Sequence, residues 1–451
     1  ISQQSKNNMT GDTMKKTIVA MLVSGAVLFP GLTQAQTLEQ SVAQSLATHP
    51  KIKEAFDLYQ ARLYQHDGAK GGYYPTIDLR GGVGYEKTDS PSTRLNRNSD
   101  DSMTRKESGI SLRQMLFDGF NVSSNVARTD AEANAQRLAM ISEAENTALR
   151  VAEVYLNMLR QQEILELSKQ NLETHEQIRS DISKRTDSGL GSTADQTQID
   201  GRVARAYANQ AAAENNYRDA ESEFIRVVNE MPKDLVQPVP DAQLIPGSLD
   251  AALKTATEVH PTLLSSLQDI EAAKYQHEGS KSGFYPNVTF EVDQNWNEDI
   301  DAVKGRNDDL TAMVRMRYNL FRGGSDLAQS KATSALYSQA KDIHMNAFRQ
   351  VEEGTRLAWN AKESLTKQKT FLKEHVDASY DTVQAYKKQF GLGQRTLLDV
   401  LNTENELFEA RRSYITAEYD SLLADYRILN ATGSLLNAFN VKQPADWQAK
   451  Q

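Results

Sequence analysis

The chain carries the same segment twice. Tyr64-Gln65-His66-Asp67-Gly68-Ala69-Lys70-Gly71-Gly72-Tyr73-Tyr74-Pro75 returns as Tyr275-Gln276-His277-Glu278-Gly279-Ser280-Lys281-Ser282-Gly283-Phe284-Tyr285-Pro286, and every mismatch is conservative. Three further matches follow in the same order: His49-Pro50 with His260-Pro261, Leu116-Phe117-Asp118-Gly119 with Leu320-Phe321-Arg322-Gly323, and Gly189-Leu190-Gly191-Ser192-Thr193-Ala194-Asp195 with Gly393-Gln394-Arg395-Thr396-Leu397-Leu398-Asp399. An offset of roughly two hundred residues is too long for a solenoid, whose repeats run ~20–50 residues. The fold is therefore a duplicated unit, with repeats at 36–230 and 248–438. The Pro-rich linker 231–247 (Pro232, Pro238, Pro240, Pro246) separates them, and a C-terminal tail covers 439–451.

Each half has the same predicted plan. A helix comes first, from Leu38 to Gly68 and from Leu249 to Gly279, with Val42, Leu46, Ile52, Phe56, Tyr59 and Leu63 as its apolar stripe. His-Pro interrupts it, because proline bends or restarts a helix. Two strands follow. Ile77, Leu79, Val83 and Tyr85 alternate with Thr76, Asp78, Arg80 and Glu86; Val288, Phe290, Val292 and Trp296 alternate with Thr289, Glu291, Asp293 and Asn295. Their return strands set Ile110, Leu112 and Leu116, then Ala312, Val314, Met316, Tyr318 and Leu320, against Ser111, Arg113, Arg315, Arg317 and Asn319. One charged and one apolar face over about ten residues is the pattern of a transmembrane barrel. A soluble sheet with one wet face alternates in the same way. The aromatics at the strand ends (Tyr73, Tyr74, Phe117, Phe284, Tyr285, Phe321) favour a membrane interface. The polar connections Lys87–Glu107 and Asn297–Asp309 read as extracellular loops.

Then comes a very long helix. Residues 120–187 contain no proline or glycine, and 325–390 only Gly354. At about 1.5 Å per residue such a helix reaches roughly 100 Å. Leu138, Ile141, Ala148, Ala152, Tyr155 and Leu159 mark a coiled-coil seam. Glycine-containing turns at 189–191 and 391–393 then reverse the chain into helices of about forty residues, ending near Asn229 and Leu436.

The N-terminal region reads as an export address. Met14-Lys15-Lys16, the apolar run Thr17–Phe29 and the small-x-small site Thr33-Gln34-Ala35 predict a signal peptide cut after Ala35, with residues 1–13 as upstream translated sequence. The apolar run is shorter than the ~20 residues a spanning helix needs. The net charge of −9 gives no support for nucleic-acid binding, and zero cysteines exclude disulfides, thiol catalysis and Cys-based metal sites. No cofactor or metal is implied. The seven histidines form no His-Glu-x-x-His motif, and no Walker or Gly-x-Ser-x-Gly motif occurs, so an enzyme is not expected.

Four membrane strands cannot close a barrel alone, since closed barrels begin at about eight. An open edge is not tolerated in lipid. Two chains would give a filled eight-stranded barrel; three would give twelve strands and a channel. The long helices would project into the periplasm as a tube.

This plan, with Gly-(x)5-Asp at both tip turns, resembles the TolC family of outer-membrane efflux and secretion channels over essentially the whole chain after Ala35. Gly393-Gln394-Arg395-Thr396-Leu397-Leu398-Asp399-Val400-Leu401 is the most specific segment. The resemblance implies an α+β membrane protein. It would be a homotrimer with a twelve-stranded outer-membrane barrel, four strands per chain, continued by a coiled-coil periplasmic tunnel. Its implied partners are outer-membrane lipid, a periplasmic adaptor and an inner-membrane ABC or proton-driven transporter.

Residue by residue, the resemblance makes Asp399 part of an ion ring at the periplasmic gate and pairs Arg395 with Asp195 as the gate latch. It puts Gly189, Leu190, Leu392 and Gly393 at adaptor-docking tips. Two positions depart from the family: Asn402 replaces a second ring aspartate, and Phe390 a latch tyrosine. Helix N-capping is the alternative role for Asp399 and Asp195. Two cargoes compete, polypeptides through a type I exporter and small toxic molecules through a multidrug pump. The lack of a cysteine for a lipid anchor tilts the reading towards type I secretion. A structural coiled-coil surface protein would explain the helices but not the strands or the repeat.

Overall fold

The computed structural model describes residues 35–95, 102–189, 191–441 and 444–448. The expected signal peptide, up to Gln34, lies outside them. The first half contains α1 (Leu38–Thr48), α2 (Pro50–Lys70), β1 (Thr76–Lys87), the short α3 (Pro91–Leu95), β2 (Ser102–Phe117), α4 (Asn121–Asp187) and α5 (Thr193–Val228). The second half contains α6 (Leu249–Val259), α7 (Pro261–Ser280), β3 (Asn287–Ile300), β4 (Val303–Arg317), α8 (Ser325–Gly391), α9 (Leu397–Ala431) and the four-residue α10 (Leu435–Ala438).

Both His-Pro steps break the first helix, as expected. His49 and His260 are N-caps: their Nδ1 atoms accept N–H from Lys51 at 3.3 Å and from Thr262 at 3.2 Å. Proline occupies the first helical position, where its missing N–H costs nothing. Burial holds both imidazoles below their usual pKa, which keeps them neutral and able to accept. His66 and His277 form a second repeated pair, each with Nδ1 near a threonine hydroxyl, Thr129 at 3.2 Å and Thr333 at 3.1 Å.

The strands form one antiparallel sheet in the order β1-β2-β3-β4, so the β2–β3 pairing joins the two halves. Cross-strand partners keep the expected faces. Ile77 pairs Leu112, Leu112 pairs Val292, and Val292 pairs Ala312 on one face. Asp78, Ser111, Asp293 and Thr311 line up on the other. Three strand assignments need correction. Residues 102–107, 297–300 and 303–309 belong to the ladder rather than to loops, and the β3–β4 connection is only Asp301-Ala302. β4 ends at Arg317, leaving Tyr318 and Leu320 outside it, and a bulge between Met115 and Phe117 takes Leu116 out of register. Polar residues on both faces look like a loop in sequence, but a ladder with water on both sides needs no apolar face.

Helix α4 is the spine. α1, α2, α5, α9 and the C-terminal segment pack along its middle, in a cluster holding Val42, Tyr59, Ala148, Ala152, Tyr155, Phe224, Tyr426 and Leu429. The many alanines of α4 let neighbouring backbones approach closely; Ala144, Ala148 and Ala152 are fully buried. The Tyr155 hydroxyl accepts N–H from Val236 at 3.0 Å and lies 2.8 Å from the Gln36 carbonyl, so one side chain holds both the linker and the first residues after Ala35. Burial pushes its pKa up to about 12. α9 stops at Ala431, where Gly433 has φ +69°, rather than running to Leu436. The tail folds back on the core through buried Phe439 and Trp447.

Candidate functional site

Two regions carry chemistry: the polar face of the sheet and the far tip of the long helices. On the sheet, charged side chains neutralise one another across strands. Glu291 accepts from Arg315 at 2.9 Å and pairs with Arg113 at 3.3 Å. Arg80 bonds Asn295, which donates to Asp309 at 2.9 Å. Arg105 pairs with Glu86 at 2.7 Å, with Asp301 at 3.0 Å and with Glu107. The opposite face exposes Leu79, Val83, Tyr85, Val314 and Met316. A sheet with a greasy side and a wired polar side suits a wall between lipid and water. At the helix-proximal end Phe117, Phe120 and Tyr285 meet edge to face, with centroids 5.4–6.4 Å apart. Gly119 sits beside them at φ +68°, and a Cβ there would come within 2.7 Å of the Ser282 carbonyl. Only glycine fits.

At the tip the two reversals share one geometry, with Gly189 at φ +76° and Gly393 at φ +75°. Leu392 is exposed there, and Leu190 lies outside the described residues. A small cluster of Leu172, Ile182, Ile199, Val203, Leu397 and Leu401, with Phe390 against it, joins the α4/α5 hairpin to the α8/α9 hairpin. Asp399 completes a capping box: its Oδ2 accepts from the Thr396 N–H at 3.2 Å and from the Thr396 hydroxyl at 2.9 Å, while its own N–H donates to Thr396 Oγ1 at 3.3 Å. Those bonds hold its carboxyl below the usual range, with Arg395 adding a smaller pull. Asp195 occupies the matching first turn of α5, where Ser192 is the cap.

The single chain does not bring Arg395 and Asp195 together. The Arg395 guanidinium lies over the Tyr386 ring, 4.3 Å from its centroid, and Nε donates to Gln389 at 3.0 Å. Asp195 has no ion-pair partner among the described residues. The two departures from the family pattern each meet a first-half arginine instead. Asn402 accepts from Arg202 at 2.8 Å, and the Arg185 guanidinium lies 5.1 Å from the Phe390 centroid. Sequence reasoning missed both arginines. Arg202 follows Asp195 by one heptad and so shares its helix face, a signal that was available.

No described helix is long and apolar enough to cross a membrane. The profile of the outer membrane efflux protein family matches residues 41–230 and 252–434, which is most of the chain and both repeats. The chain belongs to the outer membrane efflux protein family. It is 28% identical to the outer membrane efflux protein BepC of Brucella suis over 92% of this chain and 90% of that one. It is 23% identical to the alkaline protease secretion protein AprF of Pseudomonas aeruginosa over 87% and 83%. The fold matches the outer membrane protein VceC of Vibrio cholerae with a TM-score of 0.76, 15% identity, and 88% and 96% coverage.

As an outer membrane efflux protein the chain is a channel component and not an enzyme. The sheet lies in the outer membrane, and α4, α5, α8 and α9 extend into the periplasm.

Proposed function

We propose that three copies of this chain close a twelve-stranded barrel and a helical tunnel, and that the assembly exports polypeptides handed over by a periplasmic adaptor and an inner-membrane ABC transporter. One observation carries the assembly: among the described residues β1 and β4 each have one unpaired edge, in a sheet with one continuous apolar face. Unpaired backbone in hydrocarbon costs several kcal/mol per group, so another copy must supply the missing ladder. Native mass measurement of the detergent-extracted protein tests this, and a monomer would refute it.

The cargo reading rests on likeness to relatives named for protease secretion. The relative at 28% identity is named for efflux, which favours small-molecule export as the second reading. Deleting the gene and comparing secreted protein with detergent sensitivity separates the two. Loss of a secreted polypeptide supports the first; hypersensitivity with an unchanged supernatant supports the second.

At the tip, Asp399 serves as the ion ring. Arg395 and Asp195 act as a latch formed between neighbouring subunits, since Tyr386 and Gln389 occupy Arg395 inside one chain. Gly189, Leu190, Leu392 and Gly393 form the adaptor-facing tips. Asn402, tied to Arg202, leaves the ring with one carboxylate per subunit.

A further inference from the structure

The β3–β4 turn does not stand clear of the sheet. Asp301 donates its backbone N–H to Glu86 Oε2 at 3.3 Å, and Ala302 donates to Glu86 Oε1 at 3.1 Å. The Asp301 carboxylate accepts from Arg105 Nη1 at 3.0 Å. Glu86 lies on β1 and Arg105 on β2, so the turn reaches across β2 to a strand two spacings away, about 10 Å. The register puts both side chains on the polar face: Arg105 opposes Gly84, Glu86 opposes Met103, and Asp78 and Arg80 share that parity. The turn is thus folded inward over the polar face instead of continuing the sheet.

The backbone is shaped for this fold-over. A register shift separates Glu298 from Ile300, with Asp299 at φ +56° between them. Gly305 on the return strand has φ +108°, and its N–H donates to Asp299 Oδ1 at 2.7 Å. Bulges re-aim a hairpin in this way. Ile300 is buried beneath the bend. Asp301 and Ala302 both adopt left-handed φ, +55° and +62°, as the two central residues of a tight two-residue hairpin turn do. Glu86 accepts the N–H groups of both and so fixes where the turn leans. Its Oε1 also accepts from Thr88 at 2.8 Å and its Oε2 from Arg105 at 2.7 Å, so both oxygens are fully engaged.

We propose that residues 299–305 form a lid over the outer end of the channel, latched by Glu86 and Arg105. This rests on the trimeric channel proposed above, in which three such turns would lean towards one axis. The conduit then has a barrier at the barrel mouth that is independent of the helical tip. Small ions pass beside the lids, and bulky cargo must displace them. Glu86 and Arg105 are positioning residues: they act through the turn.

Because the chain has no cysteine, Ala302→Cys adds a single thiol. Its reaction with a membrane-impermeant maleimide on intact cells reads lid exposure, and planar-bilayer recording reads conductance. Glu86→Ala should raise the labelling rate several-fold and raise single-channel conductance, with the same trimer mass. Glu86→Gln, which keeps the shape and loses the ion pair, should fall between. If Glu86→Ala does not assemble, Arg105→Gln releases the same contact from β2. An assembled variant with unchanged labelling and conductance overturns the lid, as does faster labelling with unchanged conductance. A native protein that forms no channel overturns the trimeric reading itself, and the lid with it.

Discussion

Helices α4 and α8 have the same length, 67 residues, and equivalent places in the two repeats. Their surroundings differ. α4 buries residues along almost its whole length, from Ser124 to Ile182, whereas α8 buries only Thr333, Val351, Thr355, Ser379 and Val383. Of the large apolar side chains α8 leaves exposed, Leu336, Ile343, Leu357 and Phe371 fall at multiples of seven residues, whereas Leu327, Met345 and Tyr380 do not. This partial stripe, interrupted at Gln350 and Ser364, has the spacing of a coiled-coil seam. Duplication therefore produced two helices of one design, and folding of a single chain satisfies only the first. In the proposed trimer the second, like the free edges of β1 and β4, is left for a neighbouring subunit.

The largest expected effect tests that division. Leu357→Asp puts a charge in the α8 stripe and should abolish trimers while leaving the subunit helical by circular dichroism; surviving trimers would mean α8 is not an intersubunit seam. A paired truncation sharpens the contrast. Phe224→Ala, which empties a site packed against α4, should destabilise the subunit by about 3–5 kcal/mol in denaturant titrations. Phe371→Ala should leave the isolated subunit unchanged and weaken only the assembly.

Of the two long helices, α4 alone buries a carboxylate that titrates towards neutral pH. Its buried Glu145 accepts N–H from Leu435 at 3.0 Å and Leu436 at 3.2 Å, and burial outweighs those bonds to raise its pKa to about 7. The folded state thus favours the neutral acid. The contribution of Glu145 to stability is fully present below the unfolded value near 4.5 and is lost as pH rises towards about 7. Hydrogen exchange of the 435–441 segment should quicken over that window, and Glu145→Gln should flatten the dependence.

The smallest effect lies at the tip, where the α4/α5 and α8/α9 hairpins do meet. Arg202→Ala removes an exposed hydrogen bond to Asn402 and should raise closed-state conductance only slightly, because such contacts contribute little in water. A change as large as that of an Arg395 variant would make Arg202 a principal latch.

Much of this was legible in the residues. The His-Pro steps fix helix starts through proline's geometry, the 2- and 7-residue periodicities fix the strand faces and the α4 seam, and Gly189 and Gly393 mark turns that need left-handed backbone. All of these depend on neighbours close in the chain. The ends of the strands were not legible, because polar residues 297–309 look the same in a loop and in a ladder standing in water. Nor did local pattern say that Asp301 would reach Glu86, that Asn402 would meet Arg202, or that Arg395 would turn to Tyr386. Those contacts join residues whose separation in space is set by how the hairpins pack, and no local spacing encodes it. The sequence by itself determined a twice-used unit of helix, hairpin and long helical pair; only the tertiary structure decided which of the two long helices is covered and where the second hairpin bends, because burial and reach are properties of the packed chain.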